Sequence, residues 1–334
     1  GVNNNYNNPF YIHYDYTDFN GCAGKDSVQV EIHAQQTLTV SDNVELCRDG
    51  DNMTIDVTAS YSNSTGLTWI PLSGGTVGDN RAENTDFTFT SRDDSTQLFL
   101  LYAKTDEGGG SVCPFDEATM QILVHPKPQF NITTDTSNGC NPVDVNFTTE
   151  ITNYVDPATS SYTWTFTPDN ATDNVQNPFY TFEEDGTNTA KLVVESAFGC
   201  KDSMEVNIDV YPIPTALFVP NPNNSTTAAL PKFQFNNQST VDPILNSSVD
   251  NFFWDFGIDS EIDDTSNEEN PLFFYPADTG TYEVTLTVRT NYQCEATFKH
   301  DVIIGPDILV YIPNAFSPDG SGPGENDGFR AVVN

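Results

Sequence analysis

The sequence predicts an all-β protein made of small β-sandwiches in tandem, and three observations support this. Trp69, Trp164 and Trp254 are separated by 95 and 90 residues. The cysteines recur with nearly the same spacing, and short runs of alternating apolar residues lie between turns rich in Gly, Asn and Asp. A period near ninety residues is too long for a solenoid repeat and fits one sandwich per repeat. Because sandwich strands bury one face, their apolar residues alternate.

The cysteine spacing indicates that a repeat begins with one cysteine and ends with another, except that the third complete unit has no cysteine near its start. Cys22, Cys113, Cys200 and Cys294 are separated by 91, 87 and 94 residues. Two further cysteines, Cys47 and Cys140, follow Cys22 and Cys113 at short and nearly equal intervals. The sequence therefore predicts repeats bounded by cysteines.

Two proline-rich segments, His125-Pro126-Lys127-Pro128 and Tyr211-Pro212-Ile213-Pro214, mark the boundaries between repeats, since proline cannot continue a sheet ladder and stiffens a linker. We expect the last strands of an incomplete sandwich, three complete units and a short C-terminal segment. Their residue ranges are 1–36, 37–126, 127–213, 214–305 and 306–334.

Alternating apolar residues locate the strands. In the first complete unit we expect strands at Leu38 to Val40, Ile55 to Val57, Leu67 to Ile70, Phe87 to Phe89, Leu98 to Tyr102 and Met120 to Val124. In the second unit the inward residues are Val143, Val145, Phe147, Leu192, Val194, Val206, Ile208 and Val210. In the third they are Phe233, Phe235, Tyr282, Val284, Leu286 and Val288.

Charge excludes two classes of partner. The chain has 12 Lys+Arg and 48 Asp+Glu, a net charge of −36, so it repels nucleic acid and anionic lipid head groups. No run reaches the roughly eighteen apolar residues of a membrane helix. The first residues lack the pattern of a signal peptide, so we expect a mature protein or a fragment of one.

Cysteine usage predicts an oxidising compartment, extracellular or periplasmic. We expect pairing inside each unit, Cys47 with Cys113 and Cys140 with Cys200, which leaves Cys22 and Cys294 without partners in this sequence. Six cysteines allow fifteen pairings. The main alternative is pairing between adjacent units, such as Cys22 with Cys47.

The third unit carries motifs of a known family. FWDFG at Phe253 to Gly257, NPLFFY at Asn270 to Tyr275 and GTYEVTLTV at Gly280 to Val288 resemble the PKD repeat, an immunoglobulin-like (Ig-like) sandwich. The second unit is PKD-like, because Thr165 and Thr167 replace the Asp and Gly of that pattern. The first unit keeps Trp69 alone and is Ig-like.

The expected role of the recurring aromatic residues is structural. Trp69, Trp164 and Trp254 should fill the space between the sheets, where an aromatic residue buries about 150–250 Å². Tyr282 should tie a loop to the sheet in the manner of a tyrosine corner. The four histidines, His13, His33, His125 and His300, match no catalytic or metal motif, so we expect no enzyme and no catalytic residue.

The C-terminal segment resembles a secretion signal. YIPNAFSPDGSGPGENDGF, with the match from Ile312 to Phe329, is similar to the start of the type B C-terminal sorting domain of type IX secretion in Bacteroidota. This resemblance implies export to the cell surface, the secretion machinery as a partner, and a relation to gliding-associated adhesins.

We expect no cofactor. Two acidic clusters lie on loops that we expect to be solvated, and the alternative is structural Ca²⁺, which clustered carboxylates suit. The clusters are Asp319, Glu325 and Asp327, and Asp259, Glu261, Asp263 and Asp264. Asp-Ser pairs resemble O-glycosylation acceptors of Bacteroidota, which makes Ser27, Ser95 and Ser203 candidates.

The expected function is that of a stalk segment in a large surface adhesin or filament, with surface glycans, proteins or sister filaments as further partners. The alternative is a non-catalytic spacer of a secreted enzyme that degrades polysaccharide or protein. A third hypothesis is glycan binding by Phe273, Phe274 and Tyr275.

Overall fold

The computed structural model describes residues 10–30, 33–92, 95–106, 114–153, 155–258 and 264–307. Several expectations lie outside these residues. They concern Cys113, the acidic residues Asp259, Glu261 and Asp263, and the segment 308–334 with its sorting motif and candidate Ca²⁺ ligands.

The N-terminal part is one antiparallel hairpin, formed by β1 (Phe10–Thr17) and β2 (Ala23–Val30). Its turn ends at Cys22, and the thiol of Cys22 is exposed. Large apolar side chains of β1, including Ile12, Tyr14 and Tyr16, are about half exposed.

Residues 37–126, here called unit 1, form two four-stranded sheets. One sheet has the order β4-β10-β9-β6 and the other β3-β5-β8-β7. The strands are β3 (Thr37–Val40), β4 (Val44–Cys47), β5 (Asn52–Ser62), β6 (Leu67–Pro71), β7 (Thr76–Val77), β8 (Asn84–Thr90), β9 (Gln97–Thr105) and β10 (Glu117–His125).

Residues 127–213, here called unit 2, form a three-stranded sheet, β11-β13-β16, and a five-stranded sheet, β12-β18-β17-β14-β15. The elements are β11 (Phe130–Thr134), β12 (Asn138–Cys140), β13 (Val143–Ile151), a 3-10 helix (Pro157–Thr159), β14 (Ser161–Phe166), β15 (Ala171–Asp173), β16 (Phe179–Phe182), β17 (Gly186–Glu195) and β18 (Lys201–Tyr211).

Residues 214–305, here called unit 3, have the same two sheets, β19-β21-β24 and β20-β26-β25-β22-β23. The elements are β19 (Phe218–Asn221), β20 (Ser225–Thr227), β21 (Lys232–Asn237), a 3-10 helix (Ile244–Asn246), β22 (Val249–Asp255), β23 (Thr265–Ser266), β24 (Leu272–Phe274), β25 (Gly280–Thr290) and β26 (Glu295–Gly305).

One short strand near the start of each unit pairs in parallel with the last strand of the same unit. These pairs are β4 with β10, β12 with β18, and β20 with β26. All other strand pairs in the described residues are antiparallel. The parallel pair places residues from the start of a unit beside the end of that unit, where the next unit begins.

Each unit has its own hydrophobic core around one tryptophan. Trp69, Trp164 and Trp254 are 1 %, 0 % and 0 % exposed and belong to three separate clusters. Each indole N–H donates to a backbone carbonyl, of Ala82 (3.0 Å), Val175 (3.1 Å) or Glu268 (2.8 Å). Since the buried N–H is satisfied in each case, the ring packs between the sheets without an unpaired polar atom.

The strands of unit 1 show which elements the alternating apolar pattern predicted and which it missed. All six expected strands are present, extended by a few residues at their ends. Two short strands were missed, β4 and β7, because four or two residues are too few to show alternation. The omission of β4 matters, since β4 ends in Cys47.

Candidate functional site: the two junctions between units

The described cysteines pair between units, and the expected pairing within units is wrong. Cys47 of unit 1 bonds to Cys200 of unit 2, and Cys140 of unit 2 bonds to Cys294 of unit 3. The bonded residues are 153 and 154 positions apart, with Cα separations of 5.4 and 5.5 Å. The expected bonds Cys47–Cys113 and Cys140–Cys200 therefore cannot form. The alternative bond Cys22–Cys47 is excluded as well. Cys294, which was expected to be unpaired, is bonded.

The physical reason is the topology of each unit. Cys47 lies in register with His125, and Cys140 lies in register with Tyr211, the last residue of β18. The first cysteine of a unit is therefore held at the end where the chain leaves that unit. The second cysteine lies in the turn before the last strand of the following unit, which meets the same end.

The two turns that carry the second cysteine have the same hydrogen bonds. The N–H of Ser196 donates to the carbonyl of Cys200 (2.8 Å), and the Ser196 hydroxyl accepts the Cys200 N–H (3.3 Å). In unit 3, Thr290 makes the same two bonds with Cys294, at 2.9 and 3.1 Å. These bonds fix the cysteine backbone where the chain reverses direction.

Both turns also need a residue with positive φ directly before the cysteine. Gly199 has φ +77° and Gln293 has φ +68°. Glycine adopts this conformation without steric cost, whereas Gln293 does so at some cost in conformational energy. The turn of the N-terminal hairpin is equivalent, with Gly21 at φ +79° and Asp18 bonded to Cys22 in the same way.

An aromatic stack accompanies each disulfide. The His125 imidazole lies on the Phe198 ring, with centroids 3.8 Å apart and planes 10° apart. In the second junction Tyr211 lies on Tyr292, at 3.8 Å and 4°. In both cases the last residue of a unit's final strand stacks on the residue two positions before the cysteine of the next unit.

The environment of both disulfides is largely shielded from water. Cys200 and Cys294 are 0 % and 1 % exposed, and Cys47 and Cys140 are half-buried. Burial raises the pKa of Tyr211, with smaller contributions from Asp209 and Tyr292. The Tyr292 hydroxyl donates to the carbonyl of Leu245 (2.8 Å). This bond holds the turn against the short 3-10 helix of its own unit.

Two side chains of the linker are anchored in the first junction. Lys127 donates a hydrogen bond to Asp49 (2.9 Å), and this bond holds the pKa of that carboxyl below its usual value. His125 is buried, with Nδ1 3.1 Å from the Thr96 hydroxyl and Nε2 3.5 Å from a Glu45 oxygen. These contacts bind the linker to unit 1.

The same arrangement does not recur at the end of unit 3. Thr227 stands where Cys140 stands in unit 2, and Gly305, its partner in register, stands where Tyr211 stands. Unit 3 therefore offers neither a cysteine nor a stacking ring at its C-terminal end. In the described residues the disulfide-linked junctions are those between units 1 and 2 and between units 2 and 3.

The other expected site residues are spread over the units. Ser27, Ser95 and Ser203 are exposed. Of the candidate glycan-binding aromatics, Phe274 is exposed, Phe273 packs on Phe256 with centroids 4.0 Å apart, and Tyr275 is buried. These three side chains therefore do not form one exposed aromatic surface.

Two tyrosines of unit 3 bind the backbone. The Tyr282 hydroxyl donates to the carbonyl of Asp278 (3.5 Å) in the loop before β25, which is the contact expected of it. Tyr275 is buried, and its hydroxyl donates to the carbonyl of Phe256 (3.1 Å), a contact that the sequence did not predict. Burial raises the pKa of Tyr275 far above its ordinary value.

The part of the chain that is described holds neither a clustered metal site nor a membrane-spanning helix. No three His, Cys, Asp or Glu side chains there lie together as metal ligands. Likewise, no helix among those residues is long and apolar enough to cross a membrane. Asp264, the described member of the acidic loop, accepts the N–H of Ile258 (3.0 Å).

Comparison with known proteins assigns one unit to a family. Residues 125–210 match the family model of the PKD domain. The match falls on unit 2, although the sequence motif is more complete in unit 3. No curated protein matches the sequence.

Solved structures to which the chain is similar include chains of Ig domains. The N-terminal eight Ig domains of Down Syndrome Cell Adhesion Molecule align with 11 % identity and TM-score 0.46, covering 89 % of this chain and 43 % of that one. Titin domains I67–I69 align with 13 % identity and TM-score 0.46, covering 83 % and 100 %. The ectodomain of mouse nectin-like molecule 4 aligns with 13 % identity and TM-score 0.39, covering 80 % and 98 %. The chain thus spans less than half of the first of these structures.

The chain is therefore all-β, with PKD-like and Ig-like sandwiches in tandem. Modules of this kind are typically non-catalytic and serve structural or adhesive roles. Two disulfides in such modules indicate an extracellular or surface protein.

Proposed function

We propose that this chain is a stalk segment of a secreted bacterial surface protein, an adhesin or surface filament, which holds a distal binding region at a fixed distance. The observation that carries the proposal is the repeated junction. Each of the two junctions has a proline-containing linker and, in addition, a buried disulfide between the same two units.

Two covalent connections restrict a junction far more than one. A single linker lets neighbouring units swivel about its backbone, which is the default behaviour of modules joined by small interfaces. A second connection, Cys47–Cys200 or Cys140–Cys294, blocks that rotation, and the aromatic stack beside it fixes the remaining angle. A spacer must keep its length and direction, so this property suits a stalk.

The net charge of −36 supports the same function. Like-charged rods repel each other at short range, which keeps neighbouring stalks apart and soluble. Surface glycans, proteins or sister filaments remain the proposed partners of the complete protein. Ser27, Ser95 and Ser203 are exposed and remain proposed O-glycosylation sites.

The proposed route to the surface is type IX secretion in a member of the Bacteroidota, with gliding motility as the proposed context. It is supported by the resemblance of Ile312 to Phe329 to a type B sorting domain. In this route the secretion machinery recognises the C-terminal region, and the sandwiches fold and form their disulfides outside the cytoplasm.

Two measurements test this function. Electron microscopy of the purified chain should show rods of constant length and direction, and the C47S/C140S variant should show bent rods with variable angles. Antibodies against unit 3 should label intact producing cells, and the labelling should be lost when type IX secretion is inactivated. Variable angles in the wild-type chain would contradict the stalk. Label found on a released hydrolase would favour the role of an enzyme spacer.

A further inference from the structure

We infer that the two disulfides and the last strand of unit 2 form a load path, which carries tension past the parts of units 1 and 3 that lie between Cys47 and Cys294. This is a mechanical function distinct from spacing. It follows from the connectivity of the fold and does not depend on where the protein is located.

The path through unit 2 begins and ends at a disulfide. β18 starts at Lys201, directly after Cys200, and ends at Tyr211, which lies in register with Cys140. Its eleven residues span about 36 Å at ~3.3 Å per residue. One strand thus reaches from the bond with unit 1 to the bond with unit 3.

Tension at these two points loads the strand pair in shear. Cys200 is pulled at the start of β18, and Cys140 is pulled in the opposite direction at the end of the parallel strand β12. The hydrogen bonds along this pair lie across the direction of pull, as in Asp209 N–H to Ser137 carbonyl (3.0 Å) and Asn141 N–H to Tyr211 carbonyl (3.0 Å). Because shear loads these hydrogen bonds at the same time, they share the force. When a strand is instead peeled from one end, its hydrogen bonds break one after another.

Most of units 1 and 3 lies outside the shortest covalent path between Cys47 and Cys294. The bond Cys47–Cys200 closes a loop that contains unit 1 from residue 48 onward. The bond Cys140–Cys294 closes a loop that contains residues 214–293 of unit 3. As long as both bonds are closed, tension cannot extend these enclosed parts of the two units.

The difference in extensible length is large. Along the backbone, the path from Cys47 to Cys294 is about 840 Å long when fully extended, at ~3.4 Å per residue. Through the two bonds, the path follows only the backbone between Cys140 and Cys200, which extends to about 200 Å at the same rise. The two disulfides therefore prevent the extension of about three quarters of the length between Cys47 and Cys294.

Single-molecule stretching of the full chain, held at its two ends, tests this inference. Under oxidising conditions we expect at most one unfolding event between residues 47 and 294, with a gain of no more than about 200 Å. In reducing buffer we expect three events with a combined length of about 840 Å. The segments before Cys47 and after Cys294 extend equally in both conditions. Their extension therefore cancels when the two total lengths are subtracted.

Two variants separate this load path from a general effect of reduction. In C47S/C200S the path runs along the backbone from position 47 to Cys140 and then crosses to Cys294, so the extension should be about 320 Å. C22S is the matched control, because Cys22 is exposed and forms no disulfide in the described residues; it should stretch like the wild type. Three full-length events in the oxidised wild type would overturn the inference.

Discussion

Replacement of Trp254 by alanine should lower the free energy of unfolding of unit 3 by about 3–5 kcal/mol, the range for deleting a large buried aromatic side chain. The ring is fully buried and contacts Phe218, Phe235 and Phe256, with centroids 5.0 to 6.3 Å away. Its removal leaves a cavity between the sheets and an unpaired carbonyl at Glu268. Hydrogen exchange of β22 and β25 measures the loss.

The neighbouring residue provides the matched control. Phe253 lies on the same strand, but its side chain points outward and is 47 % exposed. F253A should change the unfolding free energy of unit 3 by much less than W254A. Because the three cores are separate clusters, exchange in unit 1 should stay unchanged in W254A. A loss of protection in all three units would show one continuous core and contradict the tandem architecture.

Removal of the second disulfide, Cys140–Cys294, should lower the free energy of unfolding by an amount comparable to that of W254A. The bond closes a loop of 154 residues, and the chain-entropy model gives about 5 kcal/mol for a loop of this size when all of it unfolds. In C140S/C294S we therefore expect units 2 and 3 to melt at lower temperature and as separate transitions. Differential scanning calorimetry measures both changes.

The controls for this variant use the other cysteines. C22S should leave the calorimetric trace unchanged, since Cys22 has no disulfide to lose in the described residues. C47S/C200S should affect units 1 and 2 and leave the transition of unit 3 nearly unchanged. If C140S/C294S melts like the wild type, the bond does not join units 2 and 3.

The sequence was informative wherever the signal is local. Alternating apolar residues in β5, β8, β9 and β10 reflect one buried face per strand, and this pattern is visible within a few residues. The fixed spacing of the tryptophans reflects one core per unit, because each core needs one large residue between its sheets. The exact unit boundaries remain a prediction.

The disulfide pairing could not be predicted from strand patterns, because it depends on which end of a unit holds each cysteine. β4 and β12, the strands that carry the first cysteine, have only four and three residues. Their parallel pairing with the last strand places Cys47 and Cys140 at the exit of the unit rather than at its entrance. One sequence signal did exist: the two bonded pairs have almost equal separations, 153 and 154, whereas the expected pairs are less than half as far apart and differ more from each other.

The tyrosine prediction was incomplete for a related reason. The motif predicted the bond of Tyr282 to the loop before β25, and this bond is present. Tyr275 follows the edge strand β24 and turns inward, so its hydroxyl donates to the carbonyl of Phe256. This second bond depends on the packing of the two sheets, which the motif does not show.

Peptide mapping of the non-reduced protein by mass spectrometry shows whether covalent bonds join neighbouring units. Trypsin cleaves after Arg48, Lys191 and Lys201 but not between Lys127 and Pro128, so Cys113 and Cys140 stay in one peptide, residues 105–191. We expect peptide 26–48 linked to 192–201, and peptide 105–191 linked to 290–299. A complex in which 26–48 and 192–201 are both attached to 105–191 would instead show bonds within units, and the junctions would then lack their disulfides.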